Sequence, residues 1–303
     1  MNVLVLGGSG FVGRALCEQL QRAGHRVTVP TRRDRQARPL LTLPAVTVHR
    51  GDVLRDEAFL AQLLAGQDAV INLIAILHGS AADFERIQVQ WPHRLARACL
   101  KAQVPRLLHL SALGVEGAEA SGSHYLMAKA RGETTLRAQS GLQWTIYRPS
   151  VIFGAEDQFM NLFAGLQRGL PVMALGGATA RLQPVWVGDV VRALVHGLTH
   201  PETIGQTYEL AGPEVFTLRE LVQLAGRWAH CPRPVLALPP ALAWLQAWVF
   251  EHLPGPLLSR DNLRSLRVPN VATGHLPGLS ELGLPAHSLK ALAPTYLKPR
   301  ALA

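Results

Sequence analysis

A tyrosine and a lysine four residues apart, Tyr125 and Lys129, are of the types that carry acid–base chemistry. Residues four apart lie on one face of a helix, so the phenol and the ammonium could act on the same substrate atom. Lowering a phenol pKa from about 10 to about 7 requires about 4 kcal/mol, and one ammonium about 5 Å away supplies roughly 3 kcal/mol. The same spacing also arises by chance on helix surfaces, so the surrounding elements must decide.

A serine precedes this pair at the end of an apolar run. Ser111 follows the segment RLLHL, fourteen residues before Tyr125. Ligands bind at the carboxyl ends of the strands in open parallel sheets. We therefore predict that the Ser111 hydroxyl binds a substrate carbonyl, that Tyr125 gives or takes the proton, and that Lys129 lowers the phenol pKa.

The elements that must position these residues alternate along the first two-thirds of the chain. Short β-branched runs such as NVLVL, HRVTVP and AVTVHR are each followed by a helical stretch. This alternation predicts a doubly wound α/β Rossmann fold, with a parallel sheet covered by helices on both faces. We assign residues 1–150 to this domain and 151–303 to a smaller, irregular lobe rich in Pro and Gly, with 183–200 returning to the main sheet.

A glycine-rich turn, GGSGFVG, connects the first strand to the first helix. Gly7, Gly10 and Gly13 allow a tight turn and close approach of the backbone to a pyrophosphate, and Phe11 and Val12 begin a helix whose N–H groups face that anion. Strand before and helix after is the context that a dinucleotide site requires. The turn predicts a nicotinamide dinucleotide, with Lys129 also holding the nicotinamide ribose.

Arginines follow the second strand, where an NAD-selective fold places an acid for the ribose 2′-hydroxyl. Arg32 and Arg33 suit a 2′-phosphate instead, and each charge-assisted bond contributes on the order of 1.5–3 kcal/mol. We predict NADP(H) as the cofactor, and NAD(H) stays open because Asp34 is adjacent.

Two later strand ends complete the predicted cofactor site. Asp52 and Val53 follow the third strand, where the carboxylate could accept from the adenine amino group or, alternatively, cap the next helix. Asn72 and Ala75 lie at the end of the fourth strand, where an amide and a small residue could line the cofactor.

The charge distribution excludes one class of partner. The formal net charge is +9, yet residues 1–50 alone hold eight arginines and two acids, and aromatic residues make up only 6% of the chain. A nucleic-acid surface would spread basic residues among stacking aromatics, so we expect a small anionic ligand and no nucleic acid.

Location and membrane contact are predicted from the sequence as follows. Met1 runs directly into NVLVL without a leader, which predicts a cytoplasmic protein with reduced cysteines. The uncharged stretch 234–250 is interrupted by two prolines and is shorter than a membrane span. Residues 234–258 could pack on the small lobe or dock on a membrane or a partner, which would place the protein peripherally on the inner face of the membrane.

These motifs resemble the extended and atypical short-chain dehydrogenase/reductases. The segments GGSGFVG, GDV, NLIA, LHLSALG, YLMAK, YRPSVIFG and PVWVGDVVRAL occur in the order and spacing of that superfamily. Within it, YRPSVIFGAEDQFMNLF, LAWLQAW and the final SELGLPAHSLKALAPTYL are similar to the NADPH-binding Rossmann accessory subunit of respiratory complex I and its bacterial relatives.

The resemblance implies cofactor contacts at the glycines, Arg32 and Asp52, and a segment from Arg148 through Pro149 to Ser150 that closes over the nicotinamide. It also implies a departure, because Gln88 stands where many extended members have an asparagine in a proton relay.

Three functions stay open at this point. The first is an oxidoreductase that moves hydride between NADP(H) and an unidentified small-molecule carbonyl or alcohol. The second is a non-turnover NADPH-binding protein that assembles with a membrane-associated respiratory complex. The third is an NAD-dependent nucleotide-sugar epimerase; the second lobe shows no clear cluster of Arg, Lys and Asn spaced to clamp a substrate diphosphate, and Arg181, Arg192 and Arg219 are the candidates left open.

Overall fold

A parallel sheet of seven strands forms the centre of the molecule. The computed structural model describes residues 1–252 and 258–297. The strands are β1 (Asn2–Leu6), β2 (Arg26–Thr31), β3 (Val46–Arg50), β4 (Ala69–Asn72), β5 (Arg106–Leu110), β6 (Gln143–Pro149), β7 (Ile152–Phe153), β8 (Met173–Leu175), β9 (Arg181–Leu182), β10 (Val185–Trp186), β11 (Thr207–Leu210), β12 (Phe216–Thr217) and β13 (Val235–Ala237). The central sheet has the order β3-β2-β1-β4-β5-β6-β11, and every neighbouring pair in it is parallel.

Helices cover both faces of this sheet. They are α1 (Phe11–Arg22), α2 (Asp34–Ala37), α3 (Glu57–Leu64), α4 (Ala81–Phe84), α5 (Trp91–Lys101), α6 (Ala118–Ser121), α7 (His124–Arg137), α8 (Met160–Gly169), α9 (Val187–Thr199), α10 (Leu218–Trp228), α11 (Pro240–Glu251), α12 (Arg260–Ser265) and α13 (Leu289–Leu297). A π-helical turn, Glu85–Gln90, joins α4 to α5, and 3₁₀ turns span Arg38–Thr42, Val115–Gly117 and Pro201–Thr203.

The first strand explains why two layers of helices form. Its residues alternate between faces, so Val3 and Val5 join a core with residues of α1 and α9, while Leu4 and Leu6 join a second core with residues of α3, α5 and α7. Because the side chains of Val3 to Leu6 are all apolar and buried, each face of the sheet requires a helical cover. The predicted doubly wound α/β fold is thus confirmed.

The second lobe has a core of its own. It is built from α8, α10 and α13 together with short strands, and it buries Met160, Leu221 and Leu289. The strands here form two-stranded pairs, β10 with β7, β12 with β9, and β13 with β8. This smaller, less regular lobe follows the Pro- and Gly-rich composition of the sequence.

The chain after residue 150 returns to the central sheet. Helix α9 packs against α1, and β11 then adds a seventh strand beside β6, which the sequence analysis did not anticipate. Leu279 and Leu282 pack in the same core as α1 and α9.

Helix α11 presents apolar side chains to solvent. Ala243 and Ala247 are buried, whereas Leu242, Leu245, Trp248 and Val249 are each exposed by more than 40%. Among the residues the structure describes, no helix combines the length and hydropathy needed to span a bilayer. Residues 253–257 of the predicted docking segment lie outside the described residues.

Candidate functional site

The glycine turn has a geometry that other residues would not tolerate. Gly7 has φ of +84°, and a Cβ on Gly13 would lie 2.4 Å from the Gly7 carbonyl oxygen. Helix α1 begins directly afterwards with Phe11 and Val12, and its N-cap, Gly10, makes no side-chain capping bond. The first turn also carries no acid. The N–H groups and the positive end of the helix dipole are therefore available to an anion.

A cavity of about 240 Å³ adjoins this turn. Its lining brings together the ends of β1, β2, β3 and β4, namely Gly7, Ser9, Pro30, Thr31, Arg32, Arg33, Gln36, Gly51, Asp52, Val53, Leu54 and Ile74. Five of these residues were predicted as cofactor contacts from the sequence. The other seven were not predicted, because nothing in their local sequence shows which side chains the fold brings to the cavity; they are Ser9, Pro30, Thr31, Gln36, Gly51, Leu54 and Ile74.

Both predicted 2′-phosphate arginines border the cavity. Arg32 and Arg33 are exposed, and neither forms an ion pair with any residue in the described ranges. The neighbouring Asp34 lies 3.4 Å from the Arg50 guanidinium. The Arg32 and Arg33 guanidinium groups can therefore bind an anion, because the neighbouring Asp34 carboxylate is paired with Arg50. This end of the cavity is suited to a phosphate.

Asp52 has a local structural bond as well as a place in the cavity. Its Oδ1 accepts from the backbone N–H of Leu54 at 3.0 Å, and its Oδ2 lies 3.7 Å from Arg55. The carboxylate is still partly exposed, so its remaining lone pairs could accept from an adenine. The buried Val53 lies beside it in the same lining.

Ser111 and Lys129 meet the same end of β5. The Lys129 ammonium donates to the carbonyl oxygen of Leu110, the last residue of β5, at 2.9 Å. The Ser111 hydroxyl is buried and makes no hydrogen bond within the described part of the chain. A buried hydroxyl without a partner costs about 1–3 kcal/mol, so a ligand atom that binds it would recover that energy.

Burial dominates the electrostatics of the Tyr125–Lys129 pair. It raises the pKa of Tyr125 to about 12, and it lowers the pKa of Lys129 to about 8 against the opposing effect of Glu133. The Tyr125 ring packs edge-on against Phe84, with centroids 5.9 Å apart. The ligand-free protein thus differs from the lowered phenol pKa that the sequence analysis predicted, because burial raises the pKa of Tyr125.

A carboxylate from the second lobe positions Tyr125. Asp261 of α12 accepts from the Ser123 hydroxyl at 2.8 Å, from the His124 N–H at 2.7 Å and from the Tyr125 N–H at 3.1 Å. These donors open α7, where a negative charge is favourable. The sequence analysis missed Asp261, because its position in SRDN reads only as the first turn of its own helix.

Asn72 and Ala75 occupy different environments. The Asn72 amide contacts the His109 ring at 3.0 Å, the Trp91 indole N–H at 3.1 Å and the Ile74 N–H at 3.3 Å. Its hydrogen-bonding groups therefore bind protein groups. Ala75 is exposed in the loop after β4.

Gln88 lies in the π-helical turn that faces α7, the helix that carries Tyr125 and Lys129. Its amide nitrogen donates to the Ile76 carbonyl at 3.0 Å, while its buried amide oxygen has no partner among the described residues. A Cβ on Gly132 of α7 would lie 2.0 Å from the Gln88 carbonyl oxygen. Glycine at 132 is thus what lets α7 approach this turn so closely.

The Arg148 side chain is held in a buried ionic network. Its guanidinium binds Glu133, with the closest contact at 2.8 Å, and Glu116 at 2.7 Å. Burial alone lowers the pKa of Arg148, but the two glutamates outweigh burial and raise it. Arg148 and Pro149 end β6, and the Pro149 carbonyl accepts from the Leu113 N–H at 2.9 Å.

The Ser150 hydroxyl is also bound within the protein. It donates to the Asn270 Oδ1 at 2.6 Å, and the Asn270 amide donates to the Leu113 carbonyl at 3.2 Å. The structure therefore brings Arg148–Ser150 to the same strand edge as Ser111. In the ligand-free structure the Arg148 and Ser150 side chains both bind protein groups.

Comparison with known proteins assigns the family. The chain matches the "NAD dependent epimerase/dehydratase family" over residues 3–211. It is 32% identical over 291 residues to "NADH dehydrogenase [ubiquinone] 1 alpha subcomplex subunit 9, mitochondrial" of Mus musculus, spanning 92% of this chain and 75% of that protein. It is 26% identical over 272 residues to "N-acetyl-alpha-D-glucosaminyl-diphospho-ditrans,octacis-undecaprenol 4-epimerase" of Escherichia coli O157:H7, spanning 83% and 80%.

A solved structure shares the fold. It is described as "MoeE5 in complex with UDP-glucose and NAD", with a TM-score of 0.72, 19% sequence identity and coverage of 98% of this chain and 97% of that one. The resemblance predicted from the motifs is confirmed. The chain belongs to the NAD dependent epimerase/dehydratase family, a family of nicotinamide dinucleotide-binding proteins in the extended branch of the short-chain dehydrogenases/reductases, and the mouse protein named above is a respiratory-chain relative.

Proposed function

We propose that this chain binds NADP(H) at the carboxyl edge of its sheet and transfers hydride to or from a carbonyl or alcohol of a small-molecule substrate. The observation that carries the proposal is the cavity that combines Gly7, Arg32, Arg33 and Asp52. It offers a helix N-terminus for a pyrophosphate and two unpaired guanidinium groups for a 2′-phosphate. A protein that binds no dinucleotide has no physical reason for this combination.

The residues near β5 support a role beyond holding the cofactor. When bound, the nicotinamide would supply or accept a hydride. The unpartnered Ser111 hydroxyl would donate to the substrate oxygen, and the Tyr125 phenol would give or take the proton. The Lys129 ammonium, anchored on the Leu110 carbonyl, would hold the ribose and favour the phenolate. Burial leaves the phenol protonated in the free protein, the form needed to donate a proton to a carbonyl.

The cofactor assignment can be tested by calorimetry of the ligand-stripped protein. Replacing Arg32 and Arg33 together by Ala should weaken NADPH roughly ten- to thousandfold, because one or two charge-assisted bonds are lost, and should leave NADH nearly unchanged. Arg38→Ala is the matched control, since that arginine is exposed and does not line the cavity. Equal losses for both nucleotides would refute the 2′-phosphate assignment.

The catalytic role requires a separate test. A panel of quinones, aldehydes and ketones with NADPH should include a substrate whose turnover falls about 10²–10⁴-fold in Tyr125→Phe, while NADPH affinity is retained. Tyr208→Phe, which removes a phenol from β11, is the control. Turnover that is unchanged in Tyr125→Phe would exclude this phenol from the mechanism.

A second candidate is a cofactor-holding protein that assembles with a membrane-associated respiratory complex. The similarity to the mouse respiratory-chain subunit and the exposed apolar residues of α11 favour it. A bound ligand at a hundred times its dissociation constant adds about 2.7 kcal/mol of stability, so a purely structural cofactor is reasonable. No turnover across the panel, together with retention of the protein in detergent-free membrane fractions, would favour this function over the first.

An epimerase is the third candidate, because the E. coli relative carries that activity in its name. Arg181 lines a second cavity of about 280 Å³, together with Arg148, but Glu116 and Glu209 line it as well. Two carboxylates oppose a diphosphate there. Calorimetry with a nucleotide-diphosphate sugar would reveal binding that the oxidoreductase proposal does not require.

A further inference from the structure

Three potential metal ligands meet where α9 ends. His196 lies in the last turn of α9, His200 follows the helix, and Glu202 lies in the 3₁₀ turn Pro201–Thr203. One donor atom from each lies within 4.8 Å of the others. The 3₁₀ turn binds the amino ends of β5 and β6, since Thr203 contacts Arg106 and Thr145. The cofactor cavity lies at the carboxyl ends of the strands, so the cluster is at the opposite edge of the sheet.

Among the described residues, the hydrogen-bond contacts of the His200 ring are made by Nδ1. Its Nδ1 lies 2.9 Å from the backbone carbonyl oxygen of His196. In the tautomer that carries its proton on Nδ1, the ring donates to this carbonyl and keeps the lone pair of Nε2 for a metal; the Thr199 hydroxyl lies 3.1 Å from the same Nδ1. A ring N–H that donates to a backbone carbonyl is the arrangement that orients metal-binding histidines.

The two imidazoles are stacked in the ligand-free structure. Their centroids are 3.5 Å apart and their planes are 11° from parallel. Since a metal lies in the plane of each ring, binding must turn one ring out of the stack, and the partial exposure of both leaves room for that.

The surrounding charges are nearly balanced. The exposed Glu202 carboxylate supplies a negative charge, and the buried Arg106 guanidinium opposes it. The Arg106 N–H groups donate to the carbonyl oxygens of Gly197 and Gln143 and to the Thr203 hydroxyl, so they are directed into the protein. The imidazole Nε2 atoms remain the strongest available donors to a metal.

We propose that His196, His200 and Glu202 bind one divalent transition-metal ion of the Zn²⁺ class, with the remaining position taken by water. Two imidazoles and one carboxylate suit zinc and its neighbours, whereas Mg²⁺ requires mainly oxygen ligands. The ion would link His196, at the end of α9, to Glu202, in the turn before β11. Strand β11 is at the edge of the sheet. Its role would be to stabilise that edge, apart from the cofactor site.

The test is titration of the metal-stripped full-length chain, without a histidine tag, with Zn²⁺ in a calorimeter. We expect one ion per chain, and a loss of affinity of at least about tenfold in His196→Ala and in His200→Ala. Glu202→Gln should weaken binding less, because both imidazoles remain. His93→Ala removes an exposed histidine from α5 and should change nothing. Mg²⁺ should produce no binding heat.

Two further measurements keep the result interpretable. Circular dichroism and NADPH titration should be the same in all variants, which shows that they fold. Imidazole nitrogen NMR of the wild type should show the His200 Nε2 resonance shifting with Zn²⁺. Absence of Zn²⁺ binding, or binding that survives in the His196→Ala/His200→Ala double variant, would overturn the proposal.

Discussion

Burial moves the pKa values of Tyr125 and Lys129 in opposite directions, each toward the neutral form of the side chain. The pKa of the Tyr125 phenol rises to about 12, and the pKa of the Lys129 ammonium falls to about 8. At neutral pH the phenol therefore holds its proton, and the lysine still carries most of its charge. A bound ligand that brings positive charge would lower the pKa of the Tyr125 phenol from this value.

Lys129 should make stability depend on pH. Its folded pKa of about 8 lies below the ordinary value of 10.5, so between these values the unfolded chain binds more protons and stability rises with pH. Below pH 8 the full cost of burying the charge is present, about 3 kcal/mol for a side chain this buried.

This effect is isolated by comparing the free energy of unfolding in urea of the wild type with that of Lys129→Met at each pH. Between pH 7.5 and 9.5 the wild type should gain about 2 kcal/mol relative to the variant. The subtraction removes other titrations, such as those of Cys17 and Cys99, whose pKa values burial raises to about 12. A constant difference across this range would show that Lys129 is not desolvated in solution.

At the scale of elements, the first turn of α7, the helix that carries Tyr125, is capped by the other lobe. Ser123 caps α7 with its own hydroxyl, which accepts from the Leu126 N–H, and Asp261 binds the N–H groups of His124 and Tyr125. The position of the Tyr125 backbone therefore depends on α12, more than 130 residues later in the chain. A change in the second lobe can thus be transmitted to the phenol through one carboxylate.

Asp261→Ala should loosen this start of α7. We expect a loss of about 1–2 kcal/mol in unfolding free energy and faster hydrogen exchange at the Tyr125 amide, since its acceptor is removed. Thr217→Ala removes the capping box of α10 and should cost similar stability while leaving that amide protected. Unchanged exchange at Tyr125 in the Asp261 variant would contradict a positioning role.

Sequence patterns identified the elements better than the partners of individual side chains. The glycine turn, the strand ends and the Tyr125 helix depend on short-range spacing, which the sequence displays directly. No pattern in the sequence indicated that the Arg148 guanidinium binds Glu133, fifteen residues away on another element. Such a pairing depends on how α7 packs beside β6, and no local pattern encodes it.

At the scale of the whole molecule, the two lobes share bonds and core. Asp261 and Asn270 from the late part of the chain bind groups of the dinucleotide domain, and Leu279 and Leu282 pack in its core. Each lobe therefore depends on the other for some of its hydrogen bonds and apolar contacts. This also explains why a division at residue 150, drawn from the loosening of the sequence pattern, does not show where β11 belongs.

We therefore expect one cooperative thermal transition for the described lobes. NADPH at a hundred times its dissociation constant should shift the whole transition by adding about 2.7 kcal/mol. Calorimetry and the fluorescence of Trp244 and Trp248, which lie on α11 in the second lobe, should report the same midpoint with and without NADPH. Two transitions, of which only one responds to NADPH, would show that the lobes unfold independently.

The late arrival of β11 has a consequence during synthesis. This strand pairs with β6, but it follows the end of β6 by nearly sixty residues. At about 5–20 residues per second, a nascent chain would leave one edge of β6 without its neighbour for roughly 3–12 seconds after that strand leaves the ribosome. An unpaired strand edge attracts other chains, so this interval is when chaperone binding would protect the protein most.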